Sequence, residues 1–301
     1  MAATQGITFI GIGNMGLAAV LALRKANLPI TIWNRTTTSP KVQSAIAAGA
    51  TLEPSLSAAL SANPLIIICL LDYPTITSLF SPLSPSLFTN KTIINLTNGT
   101  PRQSTAMQTL LTDRQVTSYF DGAIMVTPQM VGSPHSLLVI SGQDESTFSS
   151  ISHALSPIGN PQYLGPDITS ASRFDLAALS AMYGMFAGGM AGMALLKRGP
   201  GSPKIGKTVK EQIVPIISAL VEYLGLLAEA WDGERWGDSM GNPMGMQLEG
   251  VKNIVEACRE EGVDGRVLEA LRGQMEGVVG RFGADSGLAG LGILLLGEEG
   301  V

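Results

Sequence analysis

Charge, histidine and cysteine are all scarce in this chain of 301 residues, and each shortage narrows what it does. The two histidines, His135 and His153, lie far apart with no ligand spacing, so no metal site is expected. The two cysteines, Cys69 and Cys258, do not make a disulfide framework. Charged residues are 14% of the chain and the net charge is −5, which leaves no basic face for nucleic acid. The first six residues carry no basic cluster and no long apolar run. No secretion signal is expected there, and a cytoplasmic location is the default reading. There is no internal repeat. Apolar residues are plentiful, at 45%, and the length suffices for two domains with full cores.

The most informative segment lies near the start. The apolar run Ile7-Thr8-Phe9-Ile10 feeds Gly11-Ile12-Gly13-Asn14-Met15-Gly16, then an Ala/Leu-rich stretch, then Ile30-Thr31-Ile32-Trp33. A Gly-x-Gly-x-x-Gly turn between a strand and a helix is the context in which the pattern means dinucleotide binding. Gly11 permits the tight turn, Gly13 lets the backbone approach a pyrophosphate, and Gly16 lets the helix pack closely on the strand. The helix N-terminus then offers free N–H groups to the phosphates. At the end of the second strand an NAD site usually carries an acid. Here Asn34, Arg35 and Thr36 follow instead. A guanidinium and a hydroxyl suit a 2′-phosphate, so the expected cofactor is NADPH/NADP+.

The first half alternates strand and helix signals. Strands are predicted at 7–12, 30–33, 65–71, 92–96, 117–124 and 137–140. Helices are predicted at 17–26, 42–48, 56–61, 101–111 and 145–155. Residues 65–71 form a continuous apolar run, as expected of a parallel strand buried on both faces. The alternation implies an α/β fold with a Rossmann-type doubly wound sheet. After Tyr163-Leu164-Gly165-Pro166 no convincing strand follows. Asp167, Thr169 and Ser170 suit a helix start, and one very long helix is predicted to run to about Lys197, where Gly199-Pro200-Gly201 break it. Further helices are predicted at about 209–231, 244–261 and 265–280. The chain therefore reads as a dinucleotide-binding domain, 1–166, then a long interdomain helix and an all-helical domain, 167–301.

Residues 176–196 carry no charge and are followed at once by Lys197-Arg198. By length this stretch suffices to span a bilayer. It is rich in Gly and Ala, however, and contains Ser180 and Tyr183. A helix apolar all round is also the mark of one buried in a large protein or a dimer, and that is the expectation here.

In a parallel α/β sheet the ligand sits beyond the C-terminal ends of the strands. Asp72-Tyr73-Pro74 follow one strand and Asn95-Leu96-Thr97-Asn98-Gly99-Thr100-Pro101 another. Asn95, Thr97 and Asn98 put hydrogen-bonding side chains where a nicotinamide should lie. An Asx turn with a helix cap before Pro101 explains the same residues equally well. Asp175 is sharper, being the only charge between Arg173 and Lys197. On a helix it shares a broad face with Leu179 and Tyr183. A lone acid there can serve the helix dipole or an ion pair. In a cofactor cleft desolvation would raise its pKa and make it a candidate proton donor.

The ordered motifs resemble the β-hydroxyacid dehydrogenase superfamily, and more closely its imine reductase branch, including fungal reductive aminases. The matching stretches are Gly11 to Gly16, Trp33-Asn34-Arg35-Thr36, Cys69-Leu70-Leu71-Asp72, Thr92 to Pro101, Asp121-Gly122-Ala123-Ile124-Met125, Phe174 to Leu179, Met182-Tyr183-Gly184, Met246-Gln247 and Asn253 to Ala257. The set covers nearly the whole chain. The resemblance implies a catalytic group of Asp175, Tyr183 and Asn98. It implies a cofactor site made from Gly11, Gly13, Asn14, Met15, Asn34, Arg35, Thr36, Lys41, Cys69, Leu70, Leu71, Asp72, Asn95, Thr97, Met125 and Thr127. Leu179, Ile216, Met246 and Gln247 would line the substrate pocket. The family's homodimer, in which the long helix crosses between protomers, would supply Met246 and Gln247 from the partner. For Met246, core packing is an equal reading.

Hydroxyacid dehydrogenases of the superfamily look similar at position 175 but carry a lysine there, which stabilises a carbonyl oxygen becoming alkoxide. A carboxylate would repel that oxyanion and favour an iminium cation instead. Asp175 either protonates the imine or holds the iminium, and both roles stay open. Several reductive aminases resemble this chain near Pro215 but have tryptophan where Ile216 stands, which bears on amine scope. The expected activity is therefore NADPH-dependent reduction of an imine, with coupling of a ketone and an amine as its extension. The alternatives are an NADP-dependent β-hydroxyacid or aldehyde dehydrogenase, a non-catalytic NADP-binding protein, and a membrane protein built around residues 176–196.

Overall fold

Apolar β-rich runs become the sheet and their amphipathic neighbours become its covering helices. A computed structural model of the chain describes residues 6–201 and 203–297. It divides into two compact units, Met1–Ser180 and Ala181–Val301. The first runs β1 (Ile7–Ile10), α1 (Asn14–Lys25), β2 (Ile30–Trp33), α2 (Pro40–Ala47), β3 (Thr51–Leu52), α3 (Leu56–Ala62), β4 (Leu65–Ile68) and α4 (Tyr73–Phe80). It continues with β5 (Thr92–Asn95), α5 (Pro101–Asp113), β6 (Ser118–Ile124), β7 (Leu137–Ser141), α6 (Glu145–Leu155), β8 (Asn160–Tyr163) and the start of α7 (Ser170–Arg198).

The eight strands order as β3-β2-β1-β4-β5-β6-β7-β8. All pairings are parallel except β6 with β7. The direction of winding reverses between β1 and β4, which opens a crevice at their C-terminal ends. Every residue of β4 is buried. Ile67 pairs with Phe9 on one side and Ile94 on the other, and each such side chain contributes about 1.5–3 kcal/mol when fully buried. One face is covered by α1, α2 and α6, through Val20, Leu23, Val42, Phe148 and Leu155. The other is covered by α3, α4 and α5, through Leu60, Ile76, Phe80 and Leu111.

The departures from the sequence expectation have physical reasons. The strands predicted at 7–12 and 65–71 stop at Ile10 and Ile68, because the glycine loop and the turn before α4 take the chain off the sheet. Helix α4, not among the predicted helices, follows β4 with Asp72 as N-cap and Pro74 in its first turn. Strands β3 and β8 are short edge strands, and β8 contains Pro161, which is tolerated only at an edge. Between β6 and β7 the chain has no α-helix, only a short 3-10 turn with Pro128, so a parallel crossover is not available and β7 returns antiparallel.

In the second unit, described by itself, lie α8 (Gly206–Thr208), a π-helical turn (Val209–Ile213), α9 (Val214–Leu220), α10 (Tyr223–Asp232), α11 (Met244–Glu260), α12 (Arg266–Phe282) and α13 (Leu291–Leu296). The single helix predicted at 209–231 is thus interrupted. Pro215 lacks an N–H and its ring crowds the carbonyl four residues back, so the preceding turn widens to π geometry. The core of the unit is Met244, Leu248, Met275 and Val278. Burial of the charge-free stretch, expected from the sequence, is not found within the chain. The most apolar window of α7 is 0% buried and that of Gly206–Asp232 is 6% buried. By length and composition alone both helices are apolar enough to cross a membrane.

Candidate active site

The glycine turn has the geometry its sequence asks for. Gly11 has φ +101°, and a Cβ there would lie 2.3 Å from the Cys69 carbonyl oxygen. A Cβ on Gly16 would lie 2.0 Å from the Gly11 carbonyl, so this glycine lets α1 close onto its own turn. At Gly13 a Cβ would meet nothing within 4 Å. Gly13 is also the N-cap of α1 and supplies no side-chain cap, which leaves the first N–H groups of the helix free. Around this turn lies a cavity of about 400 Å³ lined by Gly11 to Gly16, Asn34, Arg35, Cys69, Leu70 and Leu71. The combination of an open backbone cradle, a helix N-terminus and a guanidinium fits the diphosphate and 2′-phosphate of NADPH.

The side chain of Asn34 braces this cradle. Its Oδ1 accepts from the Ile12 N–H at 2.9 Å and its Nδ2 donates to the Thr36 carbonyl at 2.9 Å. Arg35 and Thr36 themselves are exposed, as is Lys41 in the first turn of α2. Cys69 is half-buried, and burial pushes its thiol up to about 11, so it stays a neutral wall of the cavity. Leu71 is 86% exposed on the turn before α4. Asp72 caps α4, accepting from the Thr75 N–H at 2.8 Å and the Thr75 hydroxyl at 2.5 Å. Those two bonds hold its carboxyl below the usual range. Met125 and Thr127 follow β6, outside this cavity.

The loop after β5 is tied down from several sides. Asn95 is fully buried, and its Oδ1 accepts from the Thr97 N–H at 3.1 Å. The Thr97 hydroxyl accepts from the Leu70 N–H at 3.0 Å, joining this loop to the cavity wall. Thr100 and Gln103 form a reciprocal capping box at the start of α5. Between these anchors Asn98 donates from Nδ2 to Oδ2 of Asp175 at 2.7 Å.

Asp175 is 7% exposed and lies in the second turn of α7. That turn is placed by Ser141 at the end of β7. The Ser141 hydroxyl accepts from the Ala171 N–H at 3.0 Å and donates to the Ile168 carbonyl at 3.1 Å. Burial raises the Asp175 carboxyl above the ordinary carboxylate range, and the Asn98 hydrogen bond opposes that rise. Oδ1 accepts no hydrogen bond from the described residues. The site therefore presents a carboxylate whose Oδ2 is held by an amide and whose Oδ1 is free, with no cationic partner among the described residues.

Comparison with known proteins agrees with this geometry. The model for the NAD binding domain of 6-phosphogluconate dehydrogenase matches residues 6–165, and that for the C-terminal domain of NADPH-dependent reductive aminase-like proteins matches residues 167–291. An NADPH-dependent reductive aminase of Aspergillus oryzae is 36% identical over 277 residues, which is 92% of each chain. The chain belongs to the reductive aminase family. A solved reductive aminase of Aspergillus terreus, in complex with NADPH4, cyclohexanone and allyl amine, is 36% identical and superposes with a TM-score of 0.87, covering 96% of this chain and 98% of the other. An imine reductase of Myxococcus stipitatus in complex with NADP+ shares the fold, with a TM-score of 0.86 at 23% identity, over 95% of this chain and 98% of the other.

Of the residues that the reductive aminase resemblance suggests, the structure brings Asn98 and Asp175 into contact and gathers the glycine turn, Asn34, Arg35, Cys69, Leu70 and Leu71 around one cavity. Leu179 is half-buried one turn after Asp175. Tyr183, Ile216, Met246 and Gln247 belong to the second unit. There Tyr183 is 63% exposed and Ile216 57% exposed, Met246 is exposed on α11, and Gln247 donates from Nε2 to the Asn242 carbonyl at 2.6 Å. Exposure of Met246 removes core packing within the chain as its explanation. Sequence reasoning missed Ser141 and Ser104, and named Tyr73 and Asp121 within motif stretches without giving either a role. The acid at 121 was the available signal, since a charge within a predicted strand needs buried donors or a solvent face.

Proposed function

We propose that this reductive aminase family member reduces the C=N bond of an imine, formed from a ketone and an amine, at the expense of NADPH. NADPH, when bound, supplies the hydride that goes to the imine carbon, and a proton completes the amine. Gly11 to Gly16 and Arg35 bind the cofactor phosphates, and Asn34 keeps their turn in shape. The observation that carries the reading is the Asp175–Asn98 pair. A buried carboxylate with one free oxygen stabilises a cationic iminium N–H and would repel the growing charge of an alkoxide. The Asn98 hydrogen bond lowers the pKa of Asp175 against burial, which supports the role of an anion that holds the iminium. In support, the Aspergillus terreus relative holds NADPH4, cyclohexanone and allyl amine together, and the Aspergillus oryzae relative is an NADPH-dependent reductive aminase.

The same reading assigns residues 1–166 to the cofactor and residues 167–301 to dimer formation and the substrate pocket. A second copy of the chain covers the bare apolar surfaces of α7 and of α9 to α10, and supplies Met246 and Gln247 to the cleft, with Tyr183, Leu179 and Ile216 around the substrate. Support comes from the exposure of Met190, Leu220 and Leu224 along helices that carry few charges. Neither a membrane nor a nucleic acid is a partner in this reading.

The test is NADPH oxidation with a cyclic imine such as 1-pyrroline, run beside ketones with and without amine. Asp175→Asn should lose about 100-fold or more in kcat. With Asp175 acting as the anion, kcat/KM should fall as pH drops through its raised pKa, and Asp175→Asn should lack that acid limb. Turnover of a β-hydroxyacid with NADP+ and none of imines would overturn the reading.

A further inference from the structure

A buried carboxylate lies behind the Asn98 loop. Asp121 is 1% exposed on β6, among side chains from four elements. Tyr73 of α4 donates its hydroxyl to Oδ1 at 2.5 Å, and Ser104 of α5 donates to Oδ2 at 2.7 Å. The Tyr119 hydroxyl of β6 and Nδ2 of Asn95 on β5 each lie 3.3 Å from Oδ1. The titratable groups facing Asp121 are Tyr73 and Tyr119, and among the described residues it has no cationic partner. Burying a charge without a cation is costly, so a set of donors on it indicates a geometric task rather than a gain in stability.

That task is visible in what the donors touch. Asn95 gives one end of its amide to Asp121 and the other to the Thr97 N–H. The ring of Tyr73 fills the space beside Gly99, where a Cβ would lie 2.2 Å from Cε2. Asp121 thus reaches both ends of the segment Asn95–Gly99, whose middle carries Asn98 to Asp175. We propose that Tyr73 and Asp121 are positioning residues that fix this loop and so hold Asn98 against Asp175. They touch neither substrate nor cofactor in this scheme. Burial raises the Asp121 carboxyl to about 6 while its four donors pull the other way and stabilise the anion that accepts from them.

This inference rests on the role given to Asp175 above, and its test separates the two. Tyr73→Phe keeps the ring against Gly99 and removes only the hydroxyl. In the full-length protein without NADPH, the Asp175 carboxyl is titrated by carbon-13 NMR, its resonance assigned by its loss in Asp175→Asn. The Asn98 bond lowers the pKa of Asp175. A loosened loop should therefore move the midpoint upward, on the order of half a pH unit, in Tyr73→Phe as in Asn98→Ala. The same variant should lose about tenfold in kcat with 1-pyrroline, as expected for a misplaced reacting group. Asp121→Asn should shift both in the same direction, and where it fails to fold Tyr73→Phe carries the test alone. A midpoint that moves in Asn98→Ala but stays at the wild-type value in Tyr73→Phe overturns the inference. A midpoint that moves in Tyr73→Phe, with full imine reduction retained by Asp175→Asn, upholds the positioning and removes Asp175 from the chemistry.

Discussion

Gly11 and Gly13 are identical side by side in the sequence pattern and opposite in what a methyl group would do to them. At Gly11 the positive φ and the Cys69 carbonyl leave no place for a Cβ. Gly11→Ala should cost about 1–3 kcal/mol of stability in a urea melt, through a strained backbone. At Gly13 the space is open, so Gly13→Ala should fold as the wild type does. Its methyl would point where the cofactor backbone contact is needed, and the NADPH Kd, read by fluorescence titration, should rise about tenfold, or 1.4 kcal/mol. Equal effects of the two variants on folding would refute this division. The roles of these glycines were legible from spacing alone, because a strand, a tight turn and a helix leave few alternatives. The dual engagement of Asn34 was not, since it depends on Ile12 being brought beside it by the β1–β2 pairing.

Among elements, α5 shows how a local signal fixes a distant geometry. Its capping box and first-turn proline set the register at which the chain leaves the Asn98 loop. Thr100→Ala removes the acceptor for the Gln103 N–H and should lower stability by about 1 kcal/mol, measured by chemical denaturation. No change in the denaturation midpoint would show that the box is not structural. Local signals of this sort placed most helices. They failed at Val209–Ile213, where Pro215 widened the turn before it, and at α4, for which no helix was predicted. The antiparallel turn to β7 was hidden for a different reason, because strand direction depends on what the connection contains rather than on the strand's own residues.

For the whole molecule the open matter is what covers the apolar helices. A chain with α7 and α9–α10 bare of cover carries a large free-energy penalty in water. With a second copy as the cover, light scattering should give about twice the chain mass of 31.4 kDa. Leu220→Glu, on an exposed apolar position, should shift the protein towards monomer and lower imine reduction in parallel. A wild-type monomer with full activity would remove the dimer from the reading, and recovery in the membrane fraction would replace it with a bilayer.

The sequence by itself determined the kind of sheet, the cofactor turn and the unusual acid at position 175. These follow from short-range spacing of glycines, apolar runs and one isolated charge. Tertiary structure alone decided that Asn98 holds Asp175 and that Asp121 stands behind Asn98. Those groups are 77 and 23 residues apart and meet only because β5, β6 and β7 lie side by side inside the sheet and the start of α7 is tied to the end of β7. The same physics explains the divide. Local conformation is set by neighbours along the chain, whereas a pKa and a free carboxylate oxygen depend on which distant groups exclude water from it.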